Sequence, residues 1–315
     1  MKITILESRF VNPGELSWEP IEKLGETRIY PFTEPEDVIA QIGDAEILLI
    51  NKTRITAELL DACPSVKLIC VQATGYNVVD CDAARARGIT VCNVPDYGTN
   101  AVAQFTFSLL LELCNRVGQH DQLVKEGGWS KRPDFSFWTT PQQELAGKTI
   151  GIIGYGRIGK AVGKIAKAFN MQVCACSRSG VPGQGDYVDL DTLLAVSDIV
   201  TLHCPLTAEN KELINRDTIG KMKDGAILLN TARGGLVNEE ALRDALVTGK
   251  LQGAAVDVVS QEPILPENVL LGAPNCIITP HMAWAPTESR NRIIDCVANN
   301  IQAYLDGKPV NVVNP

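Results

Sequence analysis

The sequence lacks two features that would place it in common functional classes. It has no surplus of positive charge, since 29 lysine and arginine residues face 37 acidic ones and the net charge is −8. This balance argues against a nucleic-acid backbone or an anionic membrane as the main partner. It also has no apolar run long enough to span a bilayer, and Glu7 comes too early for the apolar core of a signal peptide. We therefore expect a soluble, cytoplasmic protein.

The ten cysteines are not spaced as metal ligands or as a disulfide framework. They are scattered, mostly inside apolar runs, and only Cys174 and Cys176 are close together. Because side chains alternate along a strand, these two would lie on one face. We expect buried free thiols in a reducing compartment, and no metal site.

The chain is long enough for two domains, with 315 residues of which 45% are hydrophobic. Short apolar runs alternate with amphipathic segments along its first third, which predicts a parallel sheet flanked by helices. The predicted strands are 2–6, 27–30, 46–50, 67–72 and 90–93, and the predicted helices are 34–42, 56–62 and 80–87. No internal repeat or low-complexity stretch is present.

A long helical pattern covers 101–125. Its first half is apolar nearly all round, which predicts a helix buried on more than one side, suited to a domain crossover and a dimer contact. His120, near its end, is predicted to be solvated. Gly127 and Gly128 end the pattern, and the loop 129–143 that follows either lies over a substrate or packs on the surface.

The most informative stretch is 148–179. A β-branched run, 149–153, predicts a buried parallel strand, and a helical pattern and a second strand, 172–176, follow it. Between the first strand and the helix stands Gly154-Tyr155-Gly156-Arg157-Ile158-Gly159. Strand, glycine turn, helix and strand is the context in which this glycine pattern indicates a dinucleotide site.

Each glycine of this pattern has a physical reason. Gly154 allows the sharp turn, Gly156 lets a pyrophosphate approach the backbone, and Gly159 lets the helix pack close to the strand. The helix N-terminus adds free N–H groups and a partial positive charge. FAD and S-adenosylmethionine sites share parts of the pattern, and a nicotinamide dinucleotide is the interpretation that we favour. The predicted cofactor-binding residues of this motif are Gly154, Gly156, Arg157, Ile158 and Gly159.

Polar residues follow the predicted strands of the second half, which are 198–203, 226–229, 253–258 and 275–279. Three of the loops after them carry Arg233, Glu262 and His281. Loops at the carboxyl ends of parallel strands converge on the ligand crevice, so these three side chains can meet. His203, followed by Cys204 and Pro205 at another strand end, is predicted to line the cofactor cleft.

The three residue types suit one reaction. A guanidinium such as that of Arg233 grips a carboxylate and polarises an adjacent carbonyl. The His281 imidazolium gives a proton to the carbonyl oxygen as hydride arrives, and a carboxylate beside it, Glu262, orients it and favours its protonated form. Taken singly, each could be a structural loop residue. Together, after a dinucleotide motif, they favour catalysis.

Strand-end loops of the first half, 51–54 and 73–77, also lie where such sheets bind ligands. Lys52 and Arg54 are either contacts to an anionic substrate or solvated loop charges.

The sequence resembles the D-isomer-specific 2-hydroxyacid dehydrogenases over nearly its whole length. The resemblance is carried by Val71-Gln72-Ala73-Thr74-Gly75-Tyr76-Asn77, by Pro280-His281 and, most specifically, by Met222-Lys223-Asp224-Gly225-Ala226-Ile227-Leu228-Leu229-Asn230-Thr231-Ala232-Arg233-Gly234. Within the family it is most similar to the glycerate dehydrogenase (hydroxypyruvate reductase) and glyoxylate reductase group.

This resemblance implies an α/β protein with two doubly wound parallel sheets. A Rossmann cofactor domain, 100–283, would be inserted into a flavodoxin-like substrate domain made of 1–99 and 284–315. Family members are commonly homodimers joined through their cofactor domains. The resemblance implies hydroxypyruvate/D-glycerate or glyoxylate/glycolate as the small-molecule substrate, with other 2-hydroxy acids such as phosphoglycerate as alternatives.

The resemblance also implies roles for individual residues. Arg233 would bind substrate, Glu262 would support the acid, and His281 would be the acid/base. Asp257 would lie near the nicotinamide carboxamide. The remaining implied contacts are Cys204, Pro205 and Thr231 for the cofactor, and Lys52, Thr74, Gly75 and Tyr76 for the substrate.

One departure concerns the cofactor. NAD-preferring members usually carry an acidic residue at the end of the second strand, where this chain has Ser177 followed by Arg178 and Ser179. A missing carboxylate removes repulsion of a 2′-phosphate, and Arg178 can supply a cation. The sequence therefore favours NADP(H), with NAD(H) as the alternative.

A second functional hypothesis comes from another class. The C-terminal-binding corepressors share this fold and the polar trio, so a dinucleotide-sensing interaction protein is an alternative to the reductase. The compact chain has no long polar tails for regulation, which favours the enzyme.

Overall fold

The computed structural model describes residues 1–315 and divides them into two compact units. One unit is Met1–Gly98 with Trp284–Pro315, and the other is Thr99–Ala283. None of the helices combines the length and the apolar composition that a membrane span requires.

The first unit is built on a five-stranded parallel sheet. Up to residue 98 its elements are β1 (Lys2–Ile5), α1 (Glu19–Glu22), β2 (Glu26–Ile29), α2 (Val38–Ile42), β3 (Ile47–Ile50), α3 (Ala57–Ala62), β4 (Leu68–Val71), α4 (Cys81–Ala86) and β5 (Thr90–Cys92). The strand order is β2-β1-β3-β4-β5. Because β2 and β3 lie on opposite sides of β1, the order reverses there, and the crevice between the ends of β1 and β3 is the switch point.

The second unit carries a six-stranded parallel sheet. Its elements are α5 (Thr99–Asn115), α6 (Val117–Lys125), β6 (Thr149–Ile153), α7 (Arg157–Ala168), β7 (Gln172–Cys176), α8 (Leu190–Val196), β8 (Ile199–Leu202), α9 (Arg216–Lys221), β9 (Ala226–Asn230), α10 (Glu239–Val247), β10 (Leu251–Val256) and β11 (Cys276–Ile278). The strand order is β11-β10-β9-β8-β6-β7, so the switch point lies between β6 and β8. The chain then returns to the first unit as α11 (Thr287–Leu305).

Both sheets are covered on two faces, which explains their nearly continuous apolar strands. In the first unit α2, α3 and α4 cover one face, while α1 and α11 cover the other. In the second unit α5 and α7 pack on one face, and α8, α9 and α10 on the other. These two doubly wound parallel sheets confirm the predicted fold class.

The prediction of a single helix over 101–125 is wrong. The chain breaks at Arg116, which has a left-handed φ of 50°, and its guanidinium donates to Asn275 Oδ1 at 3.0 Å. The reason is the apolar pattern: α5 buries nine residues, whereas α6 buries none. Without an apolar stripe to hold it on the sheet, the second half is free to change direction.

His120, predicted to be solvated, is half-buried, and both of its ring nitrogens have partners in the protein. Its Nδ1 lies 2.8 Å from the main-chain oxygen of Arg116, and its Nε2 accepts from the Thr139 N–H at 3.2 Å. His120 thus connects α6 to the loop that follows it.

Candidate active site

The glycine turn after β6 is as tight as its sequence predicts. Gly154 has a φ of +95°, and a Cβ there would lie 2.5 Å from the main-chain nitrogen of Cys204. A Cβ on Gly159 would lie 2.2 Å from the Gly154 oxygen. These contacts require glycine at both positions, because the turn, α7 and the end of β8 pack backbone to backbone.

The space above this turn fits a dinucleotide. A Cβ on Gly156 would meet no atom within 4 Å, so the backbone is open to a ligand there. Gly156 caps α7 without a side-chain hydrogen bond, and the first turn of the helix contains no acidic residue. Its free N–H groups are therefore available to a pyrophosphate, and a nicotinamide dinucleotide would be held by this turn.

The end of β7 presents a hydroxyl and a cation. The Ser177 hydroxyl is buried without a hydrogen-bond partner, whereas Arg178 and Ser179 are exposed. Glu209 lies within electrostatic reach of Arg178. The nearby Thr207 hydroxyl is the largest cause that lowers the pKa of Glu209, and the Arg178 charge adds to it. β7 itself carries no carboxylate that would repel a 2′-phosphate.

The β8 end holds a half-buried, neutral histidine. His203 Nε2 lies 2.9 Å from Thr201 Oγ1, and its Nδ1 is buried without a partner. Burial lowers the pKa of His203 to about 3, so the imidazole is uncharged at neutral pH. The main chain of the next residue, Cys204, packs against the glycine turn, and the carbonyl of the exposed Pro205 accepts from Asn210 at 2.8 Å.

The loop after β9 is organised by Asn230. Its side-chain amide donates to the Arg233 oxygen at 2.9 Å and accepts from the Ala232 N–H at 3.0 Å. Thr231 is buried, and its hydroxyl lies 3.2 Å from that of Thr106 on α5. Arg233 is exposed, and its guanidinium donates only to the Ala232 carbonyl, at 2.7 Å. The arginine is therefore presented by a rigid loop and has no acidic partner.

This loop lies directly against the loop after β10. A Cβ on Gly234 would lie 1.9 Å from the carbonyl carbon of Val259. The Val259 N–H in turn donates to Glu262 Oε1 at 3.3 Å. Gly234 thus brings the segment that carries Arg233 beside the segment that carries Glu262.

Glu262 and His281 form a hydrogen-bonded pair. His281 Nδ1 and Glu262 Oε2 are 2.7 Å apart, and each side chain is about a third exposed. Since a carboxylate only accepts hydrogen bonds, Nδ1 carries the proton and Nε2 is the nitrogen left for a reacting group. The arrangement can therefore hold a proton at His281 Nε2 and move it to a ligand.

Asp257 fixes the backbone around His281, which has a left-handed φ of 52°. The His281 N–H donates to the Asp257 main-chain oxygen at 2.8 Å. The Asp257 carboxylate accepts from the Thr279 hydroxyl at 2.6 Å and from the N–H groups of Met282 and Ala283, each at 2.9 Å. Burial raises the pKa of Asp257, and these hydrogen bonds oppose that effect.

The predicted substrate residues of the first unit lie at the carboxyl ends of β3 and β4. Lys52 and Tyr76 are exposed, and the Thr74 hydroxyl donates to the Val94 oxygen at 2.9 Å. Gly75 stands between Thr74 and Tyr76 in the chain. Arg54 is exposed and makes no ion pair.

Sequence reasoning missed Glu7, which fills the switch point of this sheet. It is buried, has a left-handed φ of 56°, and follows β1 closely. Its Oε2 accepts from the N–H groups of Lys52 and Thr53 at 2.9 and 2.8 Å, and more weakly from Asn51 at 3.4 Å. Nothing in the sequence around Glu7 signals this role, because its partners are more than 40 positions away.

Comparisons with known proteins agree on one family. Residues 107–283 match the family model described as the D-isomer specific 2-hydroxyacid dehydrogenase, NAD binding domain. The chain is 51% identical to a hydroxypyruvate reductase of Blautia hydrogenotrophica over 100% of both chains. It is 44% identical to a glycerate dehydrogenase of Methylorubrum extorquens, over 89% of this chain and 88% of that protein.

A solved structure supports the same assignment. An acyclic imino acid reductase (Bsp5), in complex with NADPH and D-Arg, superimposes with a TM-score of 0.85 at 31% identity, over 99% of this chain and 100% of that one. With its two doubly wound sheets, its glycine turn and its Glu262–His281 pair, the chain belongs to the D-isomer specific 2-hydroxyacid dehydrogenase family, whose members are nicotinamide-dependent hydroxyacid oxidoreductases.

Proposed function

We propose that this protein reduces a small 2-oxo acid to the 2-hydroxy acid, with hydroxypyruvate/D-glycerate as its main pair and glyoxylate/glycolate next. The observation that carries this proposal is the Glu262–His281 hydrogen bond, 2.7 Å long, in the unit that contains the glycine turn. The 51% identity to a hydroxypyruvate reductase over the full length favours the first substrate.

His281 is the proposed acid/base. A bound nicotinamide supplies the hydride in reduction and accepts it in oxidation. Because Nδ1 donates to Glu262, the exchangeable proton sits at Nε2, which gives it to the carbonyl oxygen of the substrate and takes it back in the reverse direction. Glu262 stabilises the imidazolium and fixes its orientation, so the proton is available before the carbonyl is reduced.

Arg233 is the proposed substrate anchor. Its exposed guanidinium has no carboxylate partner in the chain, and Asn230 holds the loop that presents it. A planar fork of N–H donors binds a carboxylate through two bonds and draws electron density from the adjacent carbonyl. We assign the other contacts to the substrate carboxylate to Lys52, Thr74, Gly75 and Tyr76.

We propose NADP(H) as the preferred cofactor. The residues assigned to it are Gly154, Gly156, Arg157, Ile158, Gly159, Ser177, Arg178, Cys204, Pro205, Thr231 and Asp257. The exposed Arg178 cation and the absence of an acidic residue at Ser177 support a 2′-phosphate. The solved imino acid reductase in complex with NADPH also supports this choice. The cofactor domain would be 100–283, and the substrate domain 1–99 with 284–315.

We further propose that the protein is a homodimer joined through its cofactor-binding units. Two features support this. A groove of about 770 Å³ runs between α5 and α7, with apolar walls that include Phe107 and Leu111. The segment 129–143 leaves Phe135 94% and Trp138 66% exposed, which is unusual for a monomer surface. Light scattering on the purified protein tests this: a mass of one chain would contradict it.

A panel of 2-oxo acids tests the proposed activity. Purified protein is assayed with hydroxypyruvate, glyoxylate, pyruvate and 3-phosphohydroxypyruvate, each with NADPH and with NADH. We expect the highest kcat/KM with hydroxypyruvate. A preference for the phosphorylated acid would identify a phosphoglycerate dehydrogenase. Dinucleotide binding without turnover of any 2-oxo acid would support the interaction-protein alternative, which the oxidoreductase names of the relatives disfavour.

A further inference from the structure

Three side chains that the proposed reaction does not use form a network beside the glycine turn. The Tyr155 hydroxyl donates to Asp186 Oδ2 at 3.0 Å, and Lys167 on α7 donates to the same oxygen at 2.8 Å. Gly163 makes room for the tyrosine, since a Cβ there would lie 2.8 Å from the Tyr155 hydroxyl. The network therefore ties α7 and the glycine motif to Asp186.

Asp186 lies at the end of a long connection, 177–188, which follows β7. Here the chain pairs again with the edge strand: the Ala175 N–H donates to the Asp186 oxygen at 2.7 Å, and the Val188 N–H donates to the Ala175 oxygen at 2.9 Å. The Tyr187 ring meets the Tyr155 ring edge-on, with centroids 5.6 Å apart. The end of this connection is thus fixed to β7 and to Tyr155.

The start of the connection depends on its end. A Cβ on Gly180 would lie 2.2 Å from Cδ1 of Tyr187, so the backbone at Gly180 rests on that ring. The Gly180 N–H also donates to the Ser177 oxygen, at 3.1 Å. Arg178 and Ser179 lie inside this closed turn, and their backbone position is therefore set by the place of Tyr187.

Near neutral pH, Tyr155 is protonated and Asp186 is ionised. Burial, together with the hydrogen bond to Asp186, raises the pKa of Tyr155 to about 12. The hydrogen bond from Lys167 is the largest cause that lowers the pKa of Asp186. Near neutral pH the phenol is therefore a donor and the carboxylate an acceptor.

We propose that Tyr155, Asp186 and Lys167 are positioning residues that hold the connection 177–188 so that Arg178 and Ser179 meet the 2′-phosphate of NADPH. This inference rests on the proposed preference for NADP(H). Tyr155 of the glycine motif would thus contribute to selectivity for the 2′-phosphate. The glycines of the same motif do not provide this selectivity, because they contact the pyrophosphate that both cofactors share.

Binding calorimetry with NADP⁺ and NAD⁺ tests the inference without turnover. Tyr155→Phe removes one hydroxyl and keeps the ring, and we expect it to weaken NADP⁺ binding roughly three- to tenfold. NAD⁺ binding should change less than about twofold, because the pyrophosphate contacts remain. Tyr187→Phe is the matched control, since that hydroxyl makes no hydrogen bond and its ring is retained; it should change neither affinity.

Two further measurements keep the result unambiguous. Lys167→Met, at a position whose side chain is 55% exposed, should shift the affinities in the same direction as Tyr155→Phe. Amide hydrogen exchange of free protein should increase in 177–188 for both variants, and not for Tyr187→Phe. Equal weakening of both cofactors by Tyr155→Phe, or unchanged exchange, would overturn the inference.

Two different results would contradict the coenzyme proposal, which is the preference for NADP(H), and the inference about Tyr155. Wild-type protein that binds NADP⁺ no more tightly than NAD⁺ would contradict the coenzyme proposal and the inference with it. If the wild type prefers NADP⁺ and Arg178→Ala removes that preference while Tyr155→Phe leaves it intact, the coenzyme proposal stands and the inference is wrong.

Discussion

The imidazole of His281 and the carboxylate of Glu262 are 2.7 Å apart although 19 positions separate them in the sequence. Two separate loops bring them together. Val259 anchors Glu262 through its N–H, and Asp257 anchors the backbone of His281 on both sides. The proposed proton transfer depends on this pair, so substitution of either residue should lower the rate of reduction.

Glu262→Gln should slow reduction. The amide still occupies the site but carries no negative charge to stabilise the imidazolium that donates the proton, so we expect kcat/KM for hydroxypyruvate to fall roughly tenfold or more. Gln261→Ala, at an exposed neighbouring position, is the control. An unchanged kcat/KM in Glu262→Gln would remove Glu262 from the mechanism.

Arg233→Lys should strongly reduce the rate of hydroxypyruvate reduction although it keeps the positive charge. An ammonium cannot reproduce the two-bond fork that holds a carboxylate, so we expect kcat/KM to fall by about a hundredfold or more. Arg216→Lys, an exposed arginine paired with Asp244, makes the same exchange away from the site and should have no effect. Unchanged kcat/KM with hydroxypyruvate in Arg233→Lys would count against the anchor role.

Glu7→Met should loosen the loop that carries Lys52. It removes the acceptor of three main-chain N–H groups inside the first unit, which predicts a loss of about 1–3 kcal/mol in the free energy of unfolding. Urea unfolding measures this, and KM for hydroxypyruvate should rise in parallel. Glu36→Met, at an exposed position, serves for comparison. Equal stability of the two variants would show that the Glu7 contacts contribute nothing.

His203 should make the protein less stable in acid. Its pKa is about 3 in the folded chain, below the ordinary value of 6.5, so between these values only the unfolded chain binds the proton. The free energy of unfolding therefore falls as the pH falls below 6.5, by up to about 1.4 kcal/mol per pH unit from this group. His203→Asn should flatten that slope in denaturant titrations, and His120→Asn should not. Parallel slopes for His203→Asn and the wild type would disprove it.

The local parts of this structure could be predicted from the sequence. The run before Gly154 and the pattern after Gly156 carry their own signals, namely β-branched residues, a glycine turn and helical spacing. The strand β6 is found at its predicted bounds. These signals are local, because the residues that favour each element lie within it or next to it in the sequence.

Other features depend on partners that are distant in the sequence. Glu7 and Tyr155 act through carboxylate contacts 46 and 31 positions away, which no periodicity shows. The break at Arg116 arises because α6 has no surface to pack on, and helical spacing alone cannot register that. Arg233, Glu262 and His281 are candidates from the sequence because strand-end loops share one edge of the sheet, and the same reasoning predicts Glu262 beside His281. The atoms that meet, Nδ1 and Oε2, and the way in which Gly234 and Asp257 position the two loops required the structure.

The rate of hydroxypyruvate reduction by His281→Ala, measured with the affinity for NADPH in the same preparation, tests the proposed acid/base role most directly. Loss of the proton donor should lower kcat by about 100- to 10,000-fold while the cofactor dissociation constant stays within about twofold of the wild type. His120→Ala, a histidine with both ring nitrogens bonded outside the site, should retain wild-type kcat. A wild-type kcat in His281→Ala would contradict the central claim that this imidazole carries the proton.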